Sequence, residues 1–551
     1  MKKIVKQLCL YFSLFVIIKS ILSYFIPADS AFSDNYHYIK LARSFFLDQD
    51  FSIHGNLYYS RPPLYPIALS ISYLFKDMTY VYLAMKVINS VISSLIIFPA
   101  FLLSKEFLSE KKALISAILI SLIPSSFAFA PHIMSENLFY PLFLFSIYFI
   151  YKSFSENNYK YSILAGIFVV LSTLTKAYGI ILVAVFILIS LIQFFRKKSQ
   201  PNPLPFLIIN LLIIIVGIKL SETSLLLINI PSIGFYIEII LYICYIILAT
   251  GIVFSITAIF SFKNILKNKK YLLFSLIAIF TFILMLIVYA NHGYHNLFSW
   301  TDHRPVGRYI ETILPLIFIT GLIGLDSYEK NKKNFEKWFK KTILVFAPIL
   351  IISAFLMTYP HFSLFPVNNM SLTWLGVLKY IFEYIFYNKM NFNLVSPLIF
   401  VILLSIIFLL ILIFIFISKN KLSFTKITSI FIILFLLVSL LNYGVTYYNS
   451  KEYWYEGEQM QLGLWLNKYD KGSSLIIIDE RDCTMGIRKL NQTSLCEPFG
   501  TNNNIMGIWL NNDIKVTNVL NPPKNSIIIS RHNLNFEKIK ETENGIFVYK
   551  T

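Results

Sequence analysis

Two stretches between the first and second apolar runs of this chain hold residue types that can act on a hydroxyl and a phosphate. They are Asp34-Asn-Tyr-His37-Tyr38-Ile-Lys-Leu-Ala-Arg43 and His54-Gly-Asn-Leu-Tyr58-Tyr59-Ser60-Arg61-Pro62-Pro63. A carboxylate within hydrogen-bond reach of a hydroxyl can take its proton, and fixed cations can hold an oxyanion as charge develops on it. Asp34 and Arg61 supply both types, beside rigid prolines. Taken alone, Asp34 also reads as the N-cap of an interfacial helix from Asn35 to Phe46.

Three later stretches add to this set. Glu136, in His132-Ile-Met-Ser-Glu136-Asn-Leu-Phe-Tyr-Pro141, opens an apolar run, where the helix dipole also favours a carboxylate. Lys176 stands at the tip of Thr173-Leu-Thr-Lys176-Ala-Tyr-Gly179, an interruption that fits a tight hairpin between two helices; its structural alternative is a snorkelling lysine. Asp302-His-Arg304-Pro-Val-Gly307-Arg308-Tyr309-Ile-Glu311 brings two arginines, each able to bind phosphate in bidentate fashion, although Arg308 and Glu311 are also spaced as an ion pair. His292, His295 and His303 could hold a divalent metal, with the ordinary polar loop as the alternative.

The elements that must position these residues are membrane helices. Of the 551 residues 56% are hydrophobic and 14% charged, where a soluble domain carries about a quarter charged residues. Apolar runs near the ~20 residues that cross a bilayer fall at 7–26, 79–103, 113–130, 138–152, 161–175, 177–195, 204–220, 233–262, 271–290, 309–325, 342–358, 394–418 and 427–445, which predicts about thirteen transmembrane helices. The net charge of +19 does not mark a nucleic-acid partner, because the basic residues come in short clusters between apolar runs, such as Arg196/Lys197/Lys198 and Lys330/Lys332/Lys333. Those clusters alternate along the chain, and the alternation predicts a cytoplasmic N-terminus with an uncleaved signal anchor, set in the cell membrane.

With that parity the first outer loop is 27–78, all eight histidines fall outside, and residues 1–445 form the membrane domain. From 446 the composition turns polar. A helical stretch Glu452–Trp465 and β-rich runs Ser474–Ile478, Ser526–Ser530 and Gly545–Tyr549 predict a small extracytoplasmic α/β domain over 446–551. Cys483 and Cys496 lie in it, where an oxidising compartment would let them pair or leave two buried thiols. Asn369-Met-Ser and Asn491-Gln-Thr have the form of glycosylation sequons.

The motifs together resemble the GT-C superfamily of polyprenyl-phosphate-dependent glycosyltransferases, in the branch of aminoarabinose transferases and protein O-mannosyltransferases. The family's first-loop acidic motif falls on Asp34 with Tyr38 following; its Tyr-Phe-x-Lys-Pro-Pro-like segment on Tyr58-Tyr59-Ser60-Arg61-Pro62-Pro63; its second acid on Glu136; its Leu-Thr-Arg-like hairpin on Leu174-Thr-Lys176; and its Gly-Arg-Tyr helix start on Gly307-Arg308-Tyr309 with Pro315. Asn35, His37, Arg61 and Lys176 depart from the usual residues, which leaves metal dependence and donor identity open. The resemblance spans roughly 1–325. It implies a GT-C-like fold and inverting transfer of a sugar from a polyprenyl-phosphate donor to a lipid, glycan or protein acceptor, with no nucleic acid involved. Asp34 would be the base, Glu136 the second catalytic acid, and Arg61, Lys176, Arg308, Arg304, Tyr59, His37 and Tyr309 the groups around substrate and phosphate. A lipid-sugar flippase or transporter and an oligosaccharyltransferase-like subunit are the alternatives.

Overall fold

The computed structural model describes residues 2–28, 33–53, 56–58, 61–196, 203–211, 233–251, 253–265, 269–295, 306–330, 368–377, 423–483, 509–512, 514–543 and 545–551. Among them the helices are α1 (Lys2–Tyr24), α2 (Ser33–Asp48), α3 (Leu64–Ser70), α4 (Met78–Ser94), α5 (Ile97–Lys105), α6 (Glu110–Ser121), α7 (Pro124–Phe127), α8 (Glu136–Glu156), α9 (Tyr159–Thr175) and α10 (Ile181–Phe195). They continue as α11 (Ile233–Ala249), α12 (Val253–Ile265), α13 (Lys269–His295), α14 (Gly307–Ile310), α15 (Leu314–Lys330), α16 (Phe424–Asn449) and α17 (Glu458–Asp470).

Seven helical stretches among the described residues are long and apolar enough to cross a bilayer: Lys3–Tyr24, Met78–Lys105, Glu136–Glu156, Ala177–Phe195, Lys270–Asn291, Gly307–Glu329 and Phe424–Glu452. The chain is therefore a multi-pass membrane protein, and these stretches answer to seven of the thirteen expected runs. The others differ for visible reasons. The run at 113–130 is divided by Pro124, so α6 has 12 residues and α7 four. The run at 161–175 is the 17-residue α9. The run at 233–262 is two helices bent by 104°, with Gly251 between them at φ 56°. The expected spans at 342–358 and 394–418, and most of 204–220, lie outside the described residues.

The chain divides into two compact units. The first comprises Met1–Phe15, Ile92–Phe129 and Glu136–Val445. Within it α8 packs on α9 and α12 on α15. In the second contact a Cβ on Gly324 would stand 2.0 Å from the Thr257 carbonyl oxygen, so only glycine lets the two backbones meet. Such close approach is what holds helices together where lipid removes the hydrophobic drive between them.

The second unit comprises Val16–Val91, Ala130–Ser135 and Thr446–Thr551. It contains α2, the paired short strands β1 (Ser52–Ile53) and β2 (Asn56–Leu57), and a five-stranded sheet of β3 (Leu475–Asp479), β4 (Ile514–Thr517), β5 (Ser526–Ser530), β6 (Glu537–Glu541) and β7 (Phe547–Lys550) in the order β4-β3-β5-β7-β6. Strands β4, β3 and β5 are parallel, and β7 and β6 join antiparallel. Alternate residues of a strand face opposite sides. Ile476, Ile478, Ile527 and Ile529 accordingly pack with Leu462 and Leu466 of α17, while Ile477 and Ile528 pack with Tyr549 on the other face. Burial on both faces explains the unbroken isoleucine runs of β3 and β5. The small C-terminal α/β domain expected from the sequence is present, although its helix begins at Glu458, after a π-helical turn at Ser450–Tyr455.

Candidate active site

The expected site residues form two clusters, each within its own unit. In the second unit Asp34 lies in the first turn of α2, and its Oδ1 accepts a hydrogen bond from Arg61 Nη2 at 2.5 Å. Pro62 and Pro63 follow Arg61 and lead into α3, where buried Tyr65 donates to Asn89 Oδ1 at 2.8 Å. Asn89 in turn donates to the His132 carbonyl at 2.9 Å. Tyr38, one turn beyond Asp34, lies edge-on to Tyr65 at 5.0 Å and donates to Ser135 Oγ at 3.0 Å. His37 stacks on Tyr58 at 4.8 Å. The Asp34 side chain thus turns to a guanidinium from a separate segment, which the capping alternative did not include.

Burial pushes the His132 imidazole down to about 3. A folded-state value below the ordinary 6.5 means that the unfolded chain takes up the proton first, so stability is complete above pH 6.5 and is lost as pH falls towards 3. The slope is about 1.4 kcal/mol per pH unit in that window. The thermal midpoint in detergent should fall between pH 7 and pH 5, and by less in His132→Leu; an equal fall in both would remove His132 as the cause.

In the first unit Glu136 opens α8 and is 1% exposed. Its Oε1 accepts from Lys176 Nζ at 2.6 Å. Lys176 ends α9 because its extended backbone breaks the helix, and a 3-10 turn at Ala177–Ile180 leads on into α10, so the interruption expected at this position is present. Its ammonium faces the rings of Tyr309, Tyr178 and Phe139 at 5.0, 5.9 and 6.0 Å, a setting that favours a cation. Tyr309 stacks on Tyr289 at 5.5 Å.

Arg308 is 3% exposed, with its guanidinium carbon 5.1 Å from the Tyr309 ring. The turn that carries it is fixed on several sides: Gly307 N–H donates to Asn369 Oδ1 at 3.2 Å, Tyr140 O–H donates to the Arg308 carbonyl at 2.7 Å, and the Glu311 carboxylate accepts from Tyr245 O–H at 2.5 Å and Ser371 N–H at 2.8 Å. Glu311 is thus occupied by Tyr245 and Ser371, in place of the ion pair with Arg308 that the i,i+3 spacing allowed. Asn369, read as a sequon, is 5% exposed, with its amide oxygen committed to Gly307.

Gly307 is required by this packing, since a Cβ there would lie 2.3 Å from Cζ of Tyr245. Gly307→Ala should displace Tyr245 from Glu311, combining overpacking of about 1–3 kcal/mol with a lost charge-assisted hydrogen bond of about 1.5–3 kcal/mol. Gly444→Ala, with nothing within 4 Å, is the control expected to leave the melting temperature unchanged or higher. Equal behaviour of the two variants would contradict this account.

Tyr59 and Arg304 lie outside the described residues, as do His54, His303, Cys496 and the side chains of His292, His295 and Cys483. Among the described residues no three His, Cys, Asp or Glu side chains are grouped to hold a metal ion. Tyr140, Tyr178, Tyr245 and Tyr289 escaped the sequence reading because single tyrosines in apolar runs have no distinctive spacing.

Residues 60–221 match the family described as dolichyl-phosphate-mannose-protein mannosyltransferase. No curated protein matches the sequence. ArnT from Cupriavidus metallidurans bound to undecaprenyl phosphate aligns over 98% of this chain and 97% of that chain, with a TM-score of 0.54 at 11% identity. ArnT from the same organism in the apo state gives 0.52 at 11% identity over the same shares. The apo oligosaccharyltransferase of Archaeoglobus fulgidus aligns over 85% of this chain and 62% of that chain at 12% identity, with a TM-score of only 0.42. The chain has the GT-C fold, and the family match covers the stretch that holds Arg61, Glu136 and Lys176.

Proposed function

We propose that this protein is a membrane glycosyltransferase that moves a sugar from a polyprenyl-phosphate carrier to an acceptor hydroxyl on the extracytoplasmic face of the cell membrane, with inversion at the anomeric carbon. The observation that carries the reading is the pairing of each expected carboxylate with an expected cation, Asp34 with Arg61 and Glu136 with Lys176, in a chain of GT-C fold. The solved structure of ArnT with undecaprenyl phosphate supports the donor class.

In this reading Asp34 takes the proton of the acceptor hydroxyl while that oxygen attacks the anomeric carbon. The bond from carbon to the phosphate oxygen breaks, its electron pair stays on that oxygen, and polyprenyl phosphate leaves. A single displacement inverts the centre. Lys176 and Arg308, with Arg304, hold the departing phosphate through positive charge. Arg61 aligns Asp34, and Glu136 orients Lys176. His37, Tyr59 and Tyr309 shape the surroundings. The N-terminus is cytoplasmic, the C-terminal domain lies outside, and the acceptor is a lipid, glycan or protein.

Donor choice and stereochemistry test this reading. Purified protein offered anomerically pure sugars on polyprenyl monophosphate and on nucleoside diphosphate should consume only the lipid-linked donor and give the inverted product by NMR. Use of the nucleotide sugar, or a retained anomer, would contradict it.

A further inference from the structure

We propose that the C-terminal domain takes part in the reaction by fixing the helix that carries Asp34, with Lys40 and Arg43 as the positioning residues; this rests on the reading of Asp34 as the base. Lys40 and Arg43 follow Asp34 on the unbroken helix α2, and Lys40 lies about 9 Å along the axis from Asp34 at ~1.5 Å per residue. Lys40 Nζ donates to the Leu510 carbonyl at 3.0 Å. Arg43 Nε donates to the Asn511 carbonyl at 3.1 Å and to its Oδ1 at 3.3 Å.

The stretch that carries the acceptors is tied to the core of the domain. Leu510 is fully buried among Leu462, Ile476 and Ile527. Trp509, 1% exposed, lies edge-on to Tyr82 at 5.4 Å and donates its indole N–H to Met460 Sδ. Asn512 donates to Asp470 Oδ2 at 2.6 Å and to the Ser474 carbonyl at 2.7 Å. The carbonyls that receive Lys40 and Arg43 are therefore set by the sheet core.

Lys40 is 4% exposed. Burying an ammonium is costly without a strong acceptor, and the Leu510 carbonyl supplies one. A rigid helix passes a displacement at Lys40 on to Asp34, and a shift of about 1 Å at reacting atoms can cost about 10²-fold in rate.

Lys40→Met and Arg43→Ala in the full-length protein, with Lys40→Arg as the conservative variant, test the proposal through two readouts. Amide hydrogen exchange over 34–48 should rise about tenfold or more in Lys40→Met and Arg43→Ala, and kcat should fall by about 10–10²-fold with KM for the lipid-linked donor within about twofold. Lys40→Arg should recover most of both. Unchanged exchange in β3 and β5 excludes general unfolding, and Arg43→Ala at its half-buried site serves if Lys40→Met fails to fold. Wild-type exchange along α2 in both variants overturns the proposal, as does unchanged kcat once α2 is loosened. An inactive wild type whose α2 still loosens in the variants would instead remove the reading of Asp34 as base, and with it the catalytic role of the domain, while leaving the structural brace.

Discussion

Asp34→Asn is expected to lower kcat by about 10²–10⁴-fold, the range of a general base removed from its reaction, while binding of polyprenyl phosphate stays within about twofold, since only a transition-state interaction is removed. Asparagine has nearly the same shape, and its amide oxygen can still accept from Arg61, so the 2.5 Å contact has a replacement and α2 keeps its position. Only the ability to take a proton is lost. Arg61→Met should behave differently: Asp34 keeps its basicity but loses its alignment, and donor affinity should fall together with kcat. Single-turnover transfer combined with calorimetric binding separates the two variants. An Asp34→Asn protein with wild-type turnover would remove the base from this account.

The second large effect is expected at Glu136 and Lys176. Removing one partner of a buried ion pair costs about 3–5 kcal/mol, because the other charge is left without its counterion. Glu136 is 1% exposed and Lys176 15%, so Lys176→Met should strongly lower the thermal midpoint. The double variant Glu136→Gln, Lys176→Met removes both charges and should recover much of that loss. Its activity should remain low, since Lys176 is assigned to the leaving phosphate, and Lys176→Arg should retain both stability and part of the turnover. Thermal denaturation in detergent beside transfer assays distinguishes the outcomes. A double variant with full activity would reduce the pair to a structural role.

Much of this arrangement was legible because its residues stand out from apolar surroundings. Asp34, Arg61 and the prolines after it lie in a polar stretch between apolar runs, and the interruption at Lys176 announced the helix break that the structure shows. The isoleucine runs of β3 and β5 read as strands because both faces are buried, whereas β6, with Glu and Lys at exposed positions, gave no such signal. The pairing of Glu136 with Lys176 was not legible, since the two are 40 residues apart and meet only when α8 packs on α9. The same holds for Tyr245 and Glu311, 66 residues apart. Hydropathy also could not reveal the 104° bend in 233–262, because Gly251 sits within a continuous apolar run. The sequon at Asn369 misled for a related reason: a three-residue pattern says nothing of burial, and the structure uses that amide to hold Gly307.

The central claim is that the protein transfers the sugar, rather than moving the lipid-linked sugar intact, and the fate of the label in sealed proteoliposomes tests it most directly. With a polyprenyl-phosphate donor radiolabelled in its sugar and an acceptor mixture on the accessible side, the account predicts that label leaves the lipid fraction and free polyprenyl phosphate appears in equal amount. Label that crosses the bilayer still attached to its lipid, with no polyprenyl phosphate released, would contradict the account and identify a carrier.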